Sequence, residues 1–223
     1  MNLINTKQHN VVENIGLLGG TFDPIHYGHI KPVIEAAQWL GLDKVKLMPA
    51  HIPPHKNTTF ANTKHRLAMV ELVCQQYAML TCDARELKRN QPSFTVTTLK
   101  EIKKEQPNTR LFFFIGMDSL INFTTWHNYQ EILHYCHLVV STRPNYQLAQ
   151  LDSIGKKFLE QHRVNSPEQA KRHHAGHILL APDYFYPISS TQIRRQLQQQ
   201  NYPSEHLPEA VLNYIIKQKL YNG

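Results

Sequence analysis

The sequence predicts an α/β fold in which a parallel sheet is covered by helices on both faces. Short runs of β-branched and aromatic residues alternate along the chain with longer segments of helical period. A length of 223 residues suits one compact domain, and 41% hydrophobic residues are enough to build its core. The alternation is typical of a Rossmann-like, doubly wound parallel sheet, and the chain adds a C-terminal helical segment.

Six short strands are predicted, each bounded by Gly, Pro, Asp or Arg. In chain order they are Ile15–Leu18, Lys44–Met48, Met79–Cys82, Leu111–Ile115, Leu138–Ser141 and Ile178–Leu180. Apolar residues at helical spacing predict helices over Ile30–Leu40, Lys64–Gln76, Thr95–Lys104 and Leu207–Leu220. In the second helix we expect one buried face formed by Leu67, Val70, Val73 and Cys74.

The chain is predicted to be a single domain over residues 1–223. Residues 1–13 form a polar N-terminal extension, and residues 188–223 form the C-terminal helical part. The polar, irregular segment Asn145–Gly176 is expected to be a surface excursion with a helix near Leu151–Gln161, and not a domain boundary.

Several features favour a cytoplasmic protein. No apolar run approaches the roughly 20 residues that a membrane span needs, and residues 1–13 contain no apolar core of a secretory signal. The three cysteines, Cys74, Cys82 and Cys136, fit neither a metal pair nor an even disulfide framework, so we interpret them as reduced core thiols.

The charge balance indicates a phosphorylated small molecule as the partner. With 24 Lys and Arg against 17 Asp and Glu, the net charge is +7 when the 14 histidines are neutral. Nucleic acid, an anionic membrane surface or a polyphosphate would each suit this charge. The basic residues are scattered in short pairs such as Lys103-Lys104, which favours small polyphosphates. We therefore expect no nucleic-acid and no membrane partner; a homo-oligomer is left open.

The first informative motif, Gly19–His29 (GGTFDPIHYGH), follows the first predicted strand. Glycines at a strand exit let the backbone approach a phosphate, and the helix that starts near Gly28 points N–H groups at the same space. His26 and His29 are three residues apart, so in a helical turn both imidazoles face one side and can donate to a polyphosphate. A plain Gly-Gly turn before two helix-start histidines is the simpler alternative.

A second motif, Ile188–Arg194 (ISSTQIR), places three hydroxyl residues at the start of a helix. Ser189, Ser190 and Thr191 offer N-caps and phosphate donors, and Arg194 lies one turn later at the same end. Alone, this pattern also fits an ordinary N-cap before an amphipathic helix. Together, the two motifs favour a phosphate site.

At these residues the sequence resembles the HxGH nucleotidyltransferase superfamily and, within it, the bacterial nicotinate-nucleotide adenylyltransferases. His26–His29 matches the superfamily signature and Ile188–Arg194 its ISSTxIR element. Further matches lie at Pro53–Lys56, His65–Met69, Ser93–Thr95, Thr98–Leu99, Gly116–Leu120, Trp126, Arg143–Pro144, Leu207–Val211 and Tyr214–Ile215. The chain departs from the family pattern at Phe94, Thr97 and Asn201.

The resemblance implies a reaction that joins ATP to nicotinate mononucleotide and gives deamido-NAD and pyrophosphate, a step of NAD biosynthesis. His26 and His29 would hold the ATP phosphates and stabilise charge at the α-phosphorus, and Arg194 would bind the terminal phosphates. The other residues expected to bind ATP are Gly19, Gly20, Thr21, Phe22, Gly28, Gly116, Asp118, Ser189, Ser190 and Thr191. Mg²⁺ is the expected cofactor; because it keeps several waters, we predict no protein ligand for it.

For the nicotinate mononucleotide, the resemblance implies that Trp126 stacks on the pyridine ring. Further candidate substrate-binding residues are Lys56, Ser93, Thr95 and Arg143, with Arg66 as another anion-binding candidate. Ser93 and Thr95 could instead cap the following helix. Asp118 could accept ribose hydroxyls or cap a helix.

Three other functions stay open at this point. A phosphopantetheine-type adenylyltransferase would share both phosphate motifs in a shorter chain. A basic nucleic-acid-binding module would explain the charge, and a catalytically inactive protein could keep the same fold.

A metal site at His173, His174 and His177 is less favoured than a polar loop, because no Cys or paired acid accompanies these histidines.

Overall fold

The computed structural model describes residues 12–51, 59–89, 93–141, 146–184 and 186–222. Its strands are β1 Asn14–Gly20, β2 Lys44–Pro49, β3 Leu80–Cys82, β4 Arg110–Gly116, β5 His137–Ser141 and β6 Ile178–Leu180. Its α-helices are α1 Tyr27–Leu40, α2 Thr63–Gln76, α3 Thr95–Glu105, α4 Met117–Ile121, α5 Tyr129–Ile132, α6 Ser153–His162, α7 Pro167–Lys171, α8 Ser190–Gln198 and α9 Glu209–Lys217. Short 3-10 helices span Arg85–Lys88, Phe123–Thr125 and Leu148–Gln150.

The six strands form one parallel sheet in the order β3-β2-β1-β4-β5-β6. The two central strands lie side by side in register, with Leu18 of β1 opposite Phe114 of β4. The strand order reverses between β1 and β4, and in such sheets ligands bind in the crevice beyond the carboxyl ends at that point. The predicted Rossmann-like α/β fold is confirmed.

The core lies on both faces of the sheet, as the alternation of side chains along β4 shows. Phe112 and Phe114 pack with α1, α2, α8 and α9, whereas Phe113 and Ile115 pack with α3, α4 and α5. Because successive side chains of a strand point to opposite faces, a strand that is covered on both sides reads as a continuous apolar run. The run Leu111–Ile115 is therefore central to the sheet.

The buried face of α2 differs from the predicted one. Arg66, Met69, Val70 and Val73 are buried, whereas Leu67 and Cys74 are only partly buried. The helix is rotated so that the Arg66 guanidinium can donate hydrogen bonds to backbone carbonyls inside the protein. A charged side chain was not expected on a buried face, and its carbonyl partners explain how it is tolerated there.

The predicted strands are confirmed within one or two residues at each end. The C-terminal helix is shorter than predicted: it begins at Glu209, after the N-cap Pro208, and ends at Lys217. Lys219 and Tyr221 have positive φ, which turns the chain out of the helix. The predicted helix near Leu151–Gln161 is confirmed as α6, and the N-terminal extension lies outside the described residues except for residues 12 and 13.

All three cysteines are free thiols, but only Cys136 is fully buried. Cys74 and Cys82 are half-buried and pack against the core, so the expectation of core thiols holds in full for Cys136 and in part for these two. Burial still raises the pKa of Cys74 to about 11 and that of Cys82 to about 12. At neutral pH the thiols therefore stay protonated and are poor nucleophiles.

The histidine stretch lies at the amino ends of β5 and β6, on the opposite edge of the sheet from the carboxyl ends. His173 and His174 are in the bends after α7, and the ring of His177 stacks on that of His137 with centroids 5.5 Å apart. The predicted polar loop is confirmed. In the described ranges, neither this cluster nor any other brings together three His, Cys, Asp or Glu side chains that could hold a metal ion.

A search of the described helices found none that is both long and apolar enough to cross a membrane.

Candidate active site

A cavity of about 610 Å³ opens at the carboxyl edge of the sheet, and we call it the first cavity. The amino-terminal ends of α1 and α8 both line it, together with the ends of β1, β4 and β5 at Leu18, Gly116 and Ser141. Helix N-termini direct backbone N–H groups and the positive end of the helix dipole at a ligand. Two such ends on one cavity make it suited to an anion with several charges.

His26 and His29 lie at the start of α1 as one stacked pair. His26 is the N-cap residue, and the two imidazole rings lie with centroids 3.8 Å apart and planes 29° apart. Both rings line the first cavity, and the Phe22 ring makes a T-shaped contact with His29 with centroids 5.3 Å apart. The prediction that both imidazoles face one side is confirmed.

Gly28, between the two histidines, is required by a close approach. A Cβ atom there would lie 3.0 Å from the His26 ring and 3.0 Å from the carbonyl oxygen of Ile188. Ile188 leads into α8, so a side chain at position 28 would intrude where the two helix starts meet. Glycine thus lets both phosphate-directed helix ends face the same cavity.

The start of α8 is fastened to the loop after β1. The Ser189 hydroxyl accepts a hydrogen bond from Gln192 N, and the Ser190 hydroxyl donates to Pro24 O at 3.0 Å. Ser189 is therefore the N-cap residue that the sequence predicts. Thr191 accepts a hydrogen bond from Arg194 Nη2 at 3.2 Å.

Arg194 lies one turn into α8 and lines the first cavity. Its Nη1 donates to Asp23 O at 2.6 Å, and its guanidinium carbon lies 4.3 Å from the centre of the Phe60 ring. One edge and one face of the guanidinium are thus fixed by the protein. A guanidinium carries five N–H donors, so donors beyond these contacts can bind phosphate oxygens.

A second, smaller cavity of about 130 Å³ lies on the other side of β1, and we call it the second cavity. Gly19 and Gly20 line it together with Ser93, Thr95 and Trp126. The remaining lining residues are Met48, Ala50, Glu86, Thr98, Leu99 and Phe113. Its size and its indole wall suit a flat ring better than a whole nucleotide.

Known proteins match this chain over nearly its whole length. The sequence model described as cytidylyltransferase-like matches residues 17–196. A probable nicotinate-nucleotide adenylyltransferase of Shewanella woodyi is 46% identical over 207 residues, which cover 93% of this chain and 98% of that protein. The nicotinate-nucleotide adenylyltransferase of Salmonella typhimurium is 45% identical over 92% of this chain and 97% of its own length.

The chain belongs to the nicotinate-nucleotide adenylyltransferases of the cytidylyltransferase-like family.

The same fold occurs in a Plasmodium falciparum nicotinic acid mononucleotide adenylyltransferase whose structure was solved with NaAD. Its TM-score is 0.68 at 19% identity, and the match covers 94% of this chain and 97% of that one. The structure of the same protein with APC gives a TM-score of 0.69 at 18% identity. At this low identity the likeness concerns the fold of the adenylyltransferases and not individual residues.

Nucleotidyltransferases of this family commonly use a divalent metal ion. Among the described residues that line the first cavity, none is Asp or Glu, so the donors are imidazoles, hydroxyls, a guanidinium and backbone groups. Such a set suits phosphate oxygens directly and offers a hard cation no carboxylate cage.

The glycine pair of the adenylyltransferase motif lies elsewhere than expected. Gly19 and Gly20 line the second cavity and not the first, in which the phosphate motif predicted them. Gly20 has a local reason to be glycine, because a Cβ atom there would lie 2.8 Å from the Phe22 ring. The glycines thus give room to the Phe22 side chain and to the second cavity.

Three predicted ATP-binding residues do not reach the first cavity by their side chains. The Phe22 ring is fully buried in the core, and the Thr21 carbonyl accepts a hydrogen bond from Arg66 Nη1. Asp118 lies in the first turn of α4 and lines neither cavity. The N-cap residue of this helix is Gly116, so the helix-cap alternative for Asp118 is wrong, and its predicted role in binding ATP stays a prediction.

On the acceptor side, the helix-cap alternative for Ser93 and Thr95 is wrong. The N-cap residue of α3 is Phe94, and no side chain caps the helix there. Ser93 Oγ instead accepts a hydrogen bond from His51 N at 3.4 Å. Ser93 and Thr95 both line the second cavity. Lys56 and Arg143 lie outside the described residues.

The prediction that Arg66 binds an anion is wrong. Its side chain is 0% exposed, and it donates to the carbonyl oxygens of Thr21, Ala50 and His51 at 2.8, 2.8 and 3.2 Å. Burial lowers its pKa, yet a guanidinium remains charged at any physiological pH. Arg66 therefore ties the loop after β1 to the loop after β2.

Sequence reasoning missed two acidic residues at the site. Asp23 is buried in the loop after β1, and its carboxylate accepts hydrogen bonds from Phe60 N and Ala61 N. Glu86 lines the second cavity and accepts a hydrogen bond from the Thr98 hydroxyl at 2.7 Å. Asp23 lies inside the GGTFDPIHYGH motif, so the acid between Phe22 and a proline could have indicated a role at the site. No sequence pattern around Glu86 indicates one.

Proposed function

We propose that this chain transfers the adenylyl group of ATP to nicotinate mononucleotide, giving deamido-NAD and pyrophosphate, as a step of NAD biosynthesis. The observation that carries the proposal is the first cavity, where two helix N-termini, His26, His29 and Arg194 converge and none of the described lining residues is acidic. The second cavity, with Trp126 on its wall, lies beside it across β1. Curated relatives 45 and 46% identical are named for this reaction.

The ATP phosphates belong in the first cavity under this proposal. The 5′-phosphate of the acceptor attacks the α-phosphorus in line, and pyrophosphate leaves on the opposite side, so no covalent intermediate with the protein is needed. His26 and His29 donate hydrogen bonds near the α-phosphate, where negative charge increases in the transition state. Ser190, Thr191 and Arg194 hold the β- and γ-phosphates at the start of α8.

The pyridine ring of the acceptor belongs in the second cavity. Trp126 lines this cavity, and its ring contacts those of Phe123 and Phe113 with centroids 5.3 and 6.4 Å away. The face of an indole attracts a flat cation. Ser93 and Thr95 flank the start of α3, whose backbone N–H groups suit the carboxylate of nicotinate. The acceptor phosphate then extends across the carboxyl end of β1 toward the first cavity.

Mg²⁺ is the metal ion we propose. When bound, it would neutralise phosphate charge, and it would need few protein ligands because it usually keeps several waters. Holding the triphosphate in place is then the task of His26, His29 and Arg194.

Three further statements remain predictions. We predict one domain over residues 1–223, a cytoplasmic location and no nucleic-acid or membrane partner; a homo-oligomer is left open.

The proposal is tested by pyrophosphate release with ATP, Mg²⁺ and a panel of acceptor phosphates. The panel contains nicotinate mononucleotide, nicotinamide mononucleotide and phosphopantetheine, and mass spectrometry identifies the dinucleotide product. We expect release with nicotinate mononucleotide and formation of deamido-NAD. Release with phosphopantetheine alone, or with no acceptor of the panel, would contradict the proposal.

A further inference from the structure

The carboxylate of Asp23 joins three separate parts of the chain. Its Oδ2 accepts a hydrogen bond from Phe60 N at 2.8 Å, and its Oδ1 accepts from Ala61 N at 3.0 Å and from the Tyr221 hydroxyl at 2.8 Å. Asp23 is only 4% exposed. A buried carboxylate depends on such donors, because desolvation without hydrogen bonds is costly.

Asp23 also fixes Arg194 in two ways. The Asp23 carbonyl oxygen accepts a hydrogen bond from Arg194 Nη1 at 2.6 Å. The Phe60 ring, whose residue donates its backbone N–H to the Asp23 carboxylate, lies beneath the Arg194 guanidinium at 4.3 Å. Phe60 is 70% exposed, so packing alone does little to hold this ring. Both contacts therefore depend on the position of Asp23.

We propose that Tyr221 is a positioning residue for the ATP site, whose hydroxyl fixes Asp23 and thereby the guanidinium of Arg194. This inference rests on the proposed role of Arg194 in binding the ATP phosphates. Tyr221 lines neither cavity and acts from 27 positions further along the chain. The last turn of the chain thus becomes part of the phosphate site without touching the substrate.

Tyr221 has the surroundings that this role requires. Its ring packs in the core on the face of the sheet that carries α2, α8 and α9, and its backbone has φ +62 in the turn after α9. Burial and the nearby Asp23 carboxylate raise the pKa of Tyr221, so its hydroxyl remains a donor throughout the neutral range. The ring is anchored by packing, so removing the hydroxyl alone tests the hydrogen bond.

The first test compares Tyr221→Phe with a matched control, Tyr214→Phe. The Tyr214 hydroxyl lies 2.9 Å from His65 Nδ1 and joins α9 to α2, but it does not contact Asp23. We expect Tyr221→Phe to raise the KM for ATP about three- to tenfold, the size of one typical lost hydrogen bond, and to leave the KM for the acceptor unchanged. Tyr214→Phe should change neither KM.

A merely structural role would give a different pattern. If the Tyr221 hydroxyl were merely structural, Tyr221→Phe and Tyr214→Phe would lower the melting temperature alike. Each variant would then keep the wild-type KM for ATP. Such a result, or an equal rise of that KM in Tyr214→Phe, would overturn the inference.

A double-mutant cycle tests whether Tyr221 acts through Arg194. The dissociation constant of a non-hydrolysable ATP analogue is measured by titration for the wild type, Tyr221→Phe, Arg194→Ala and the double variant. We expect Tyr221→Phe to have less than a twofold effect once Arg194 is alanine, because coupled residues are not additive. Effects that multiply independently would contradict the proposed path.

This titration separates the two proposals because it needs no acceptor. A wild-type protein that does not bind the analogue would overturn the proposed function and, with it, the inference. A wild type that binds the analogue while Tyr221→Phe binds it equally well would overturn the inference alone.

Discussion

His29 lines the first cavity, and its ring stacks on that of His26 and makes a T-shaped contact with that of Phe22. A donor that is fixed in this way before the substrate binds stabilises developing charge without reorganisation. The role of the residue is therefore tested by removing the ring and keeping the fold.

We predict that His29→Ala lowers turnover about 10²- to 10³-fold, the usual loss for one preorganised donor. Steady-state pyrophosphate release at saturating ATP and acceptor measures the effect, and the melting temperature checks the fold. His134→Ala, a change at an exposed histidine that lines neither cavity, is the matched control. A His29→Ala turnover within threefold of wild type would remove His29 from the catalytic assignment.

Arg194 calls for a different measurement, because its proposed role is binding of the terminal phosphates. We predict that Arg194→Ala raises the KM for ATP more than the KM for the acceptor. Arg194→Lys should restore only part of the loss, since an ammonium cannot make the paired contacts of a guanidinium. Unchanged ATP affinity and turnover in Arg194→Ala would reduce the ISSTQIR motif to a helix cap.

Some residues of the site could be predicted from the sequence and others could not. The histidines and the Ser189 cap were predictable, because helical spacing and cap preference are local properties. The buried position of Arg66 was not, since its carbonyl partners come from two loops that are distant in sequence. Side-chain charge alone suggested an anion site there.

At the scale of elements, the strands were predictable and the short helices were not. The strands are short apolar runs with Gly, Pro or Asp at their ends, and these signals are local. Helices such as α4 Met117–Ile121 and α5 Tyr129–Ile132 are too short to show a helical period. The sequence likewise could not assign Gly19 and Gly20 to one cavity, because the walls of that cavity come from segments that are distant in sequence, such as Ser93 and Trp126.

The amino ends of β5 and β6 carry a buried histidine that makes stability depend on pH. His137 is fully buried; its Nδ1 accepts a hydrogen bond from His177 N, and its Nε2 donates to His173 O. Burial lowers the pKa of His137 to about 3, with the hydrogen bond to His173 O opposing that shift and the charges of His177 and Arg110 adding to it. The native state thus keeps this imidazole neutral at pH values where the unfolded state protonates it.

We predict that the free energy of unfolding falls as the pH drops below about 6.5, by about 1.4 kcal/mol per pH unit and so about 2 kcal/mol at pH 5. The sign follows from the lowered pKa: between 6.5 and 3 the unfolded chain binds a proton that the native chain does not. Urea unfolding between pH 7 and pH 5 measures this slope above the range in which carboxylates titrate. His137→Gln keeps one acceptor and one donor, and its slope should be flatter; an equal slope would contradict the assignment.

At the scale of the whole molecule, the strand order brings the two motifs together. The loop after β1 leads to His26 and His29 at the start of α1. Helix α8 begins at the same edge of the sheet, about 160 residues later in the sequence. Such a crevice at the reversal of strand order was predictable from the fold class. The division into two cavities on either side of β1 was not, because it depends on how side chains pack around Phe113 and Phe114.

The arrangement of the second cavity predicts a preference for nicotinate mononucleotide over nicotinamide mononucleotide. Nicotinate mononucleotide carries a carboxylate where nicotinamide mononucleotide carries an amide. The backbone N–H donors at the start of α3 suit the two accepting oxygens of the carboxylate. An amide would turn its NH₂ group toward those donors. Sites built on specific hydrogen bonds discriminate by up to about 10⁴-fold when a polar group is left unpaired.

The ratio of kcat/KM for the two acceptors, at fixed ATP and Mg²⁺, is the most direct test of an enzyme that places an acid-bearing pyridine ring in the second cavity and ATP in the first. We predict a strong preference for nicotinate mononucleotide, with deamido-NAD and pyrophosphate formed in equal amounts. Equal kcat/KM values for the acid and the amide would contradict this account.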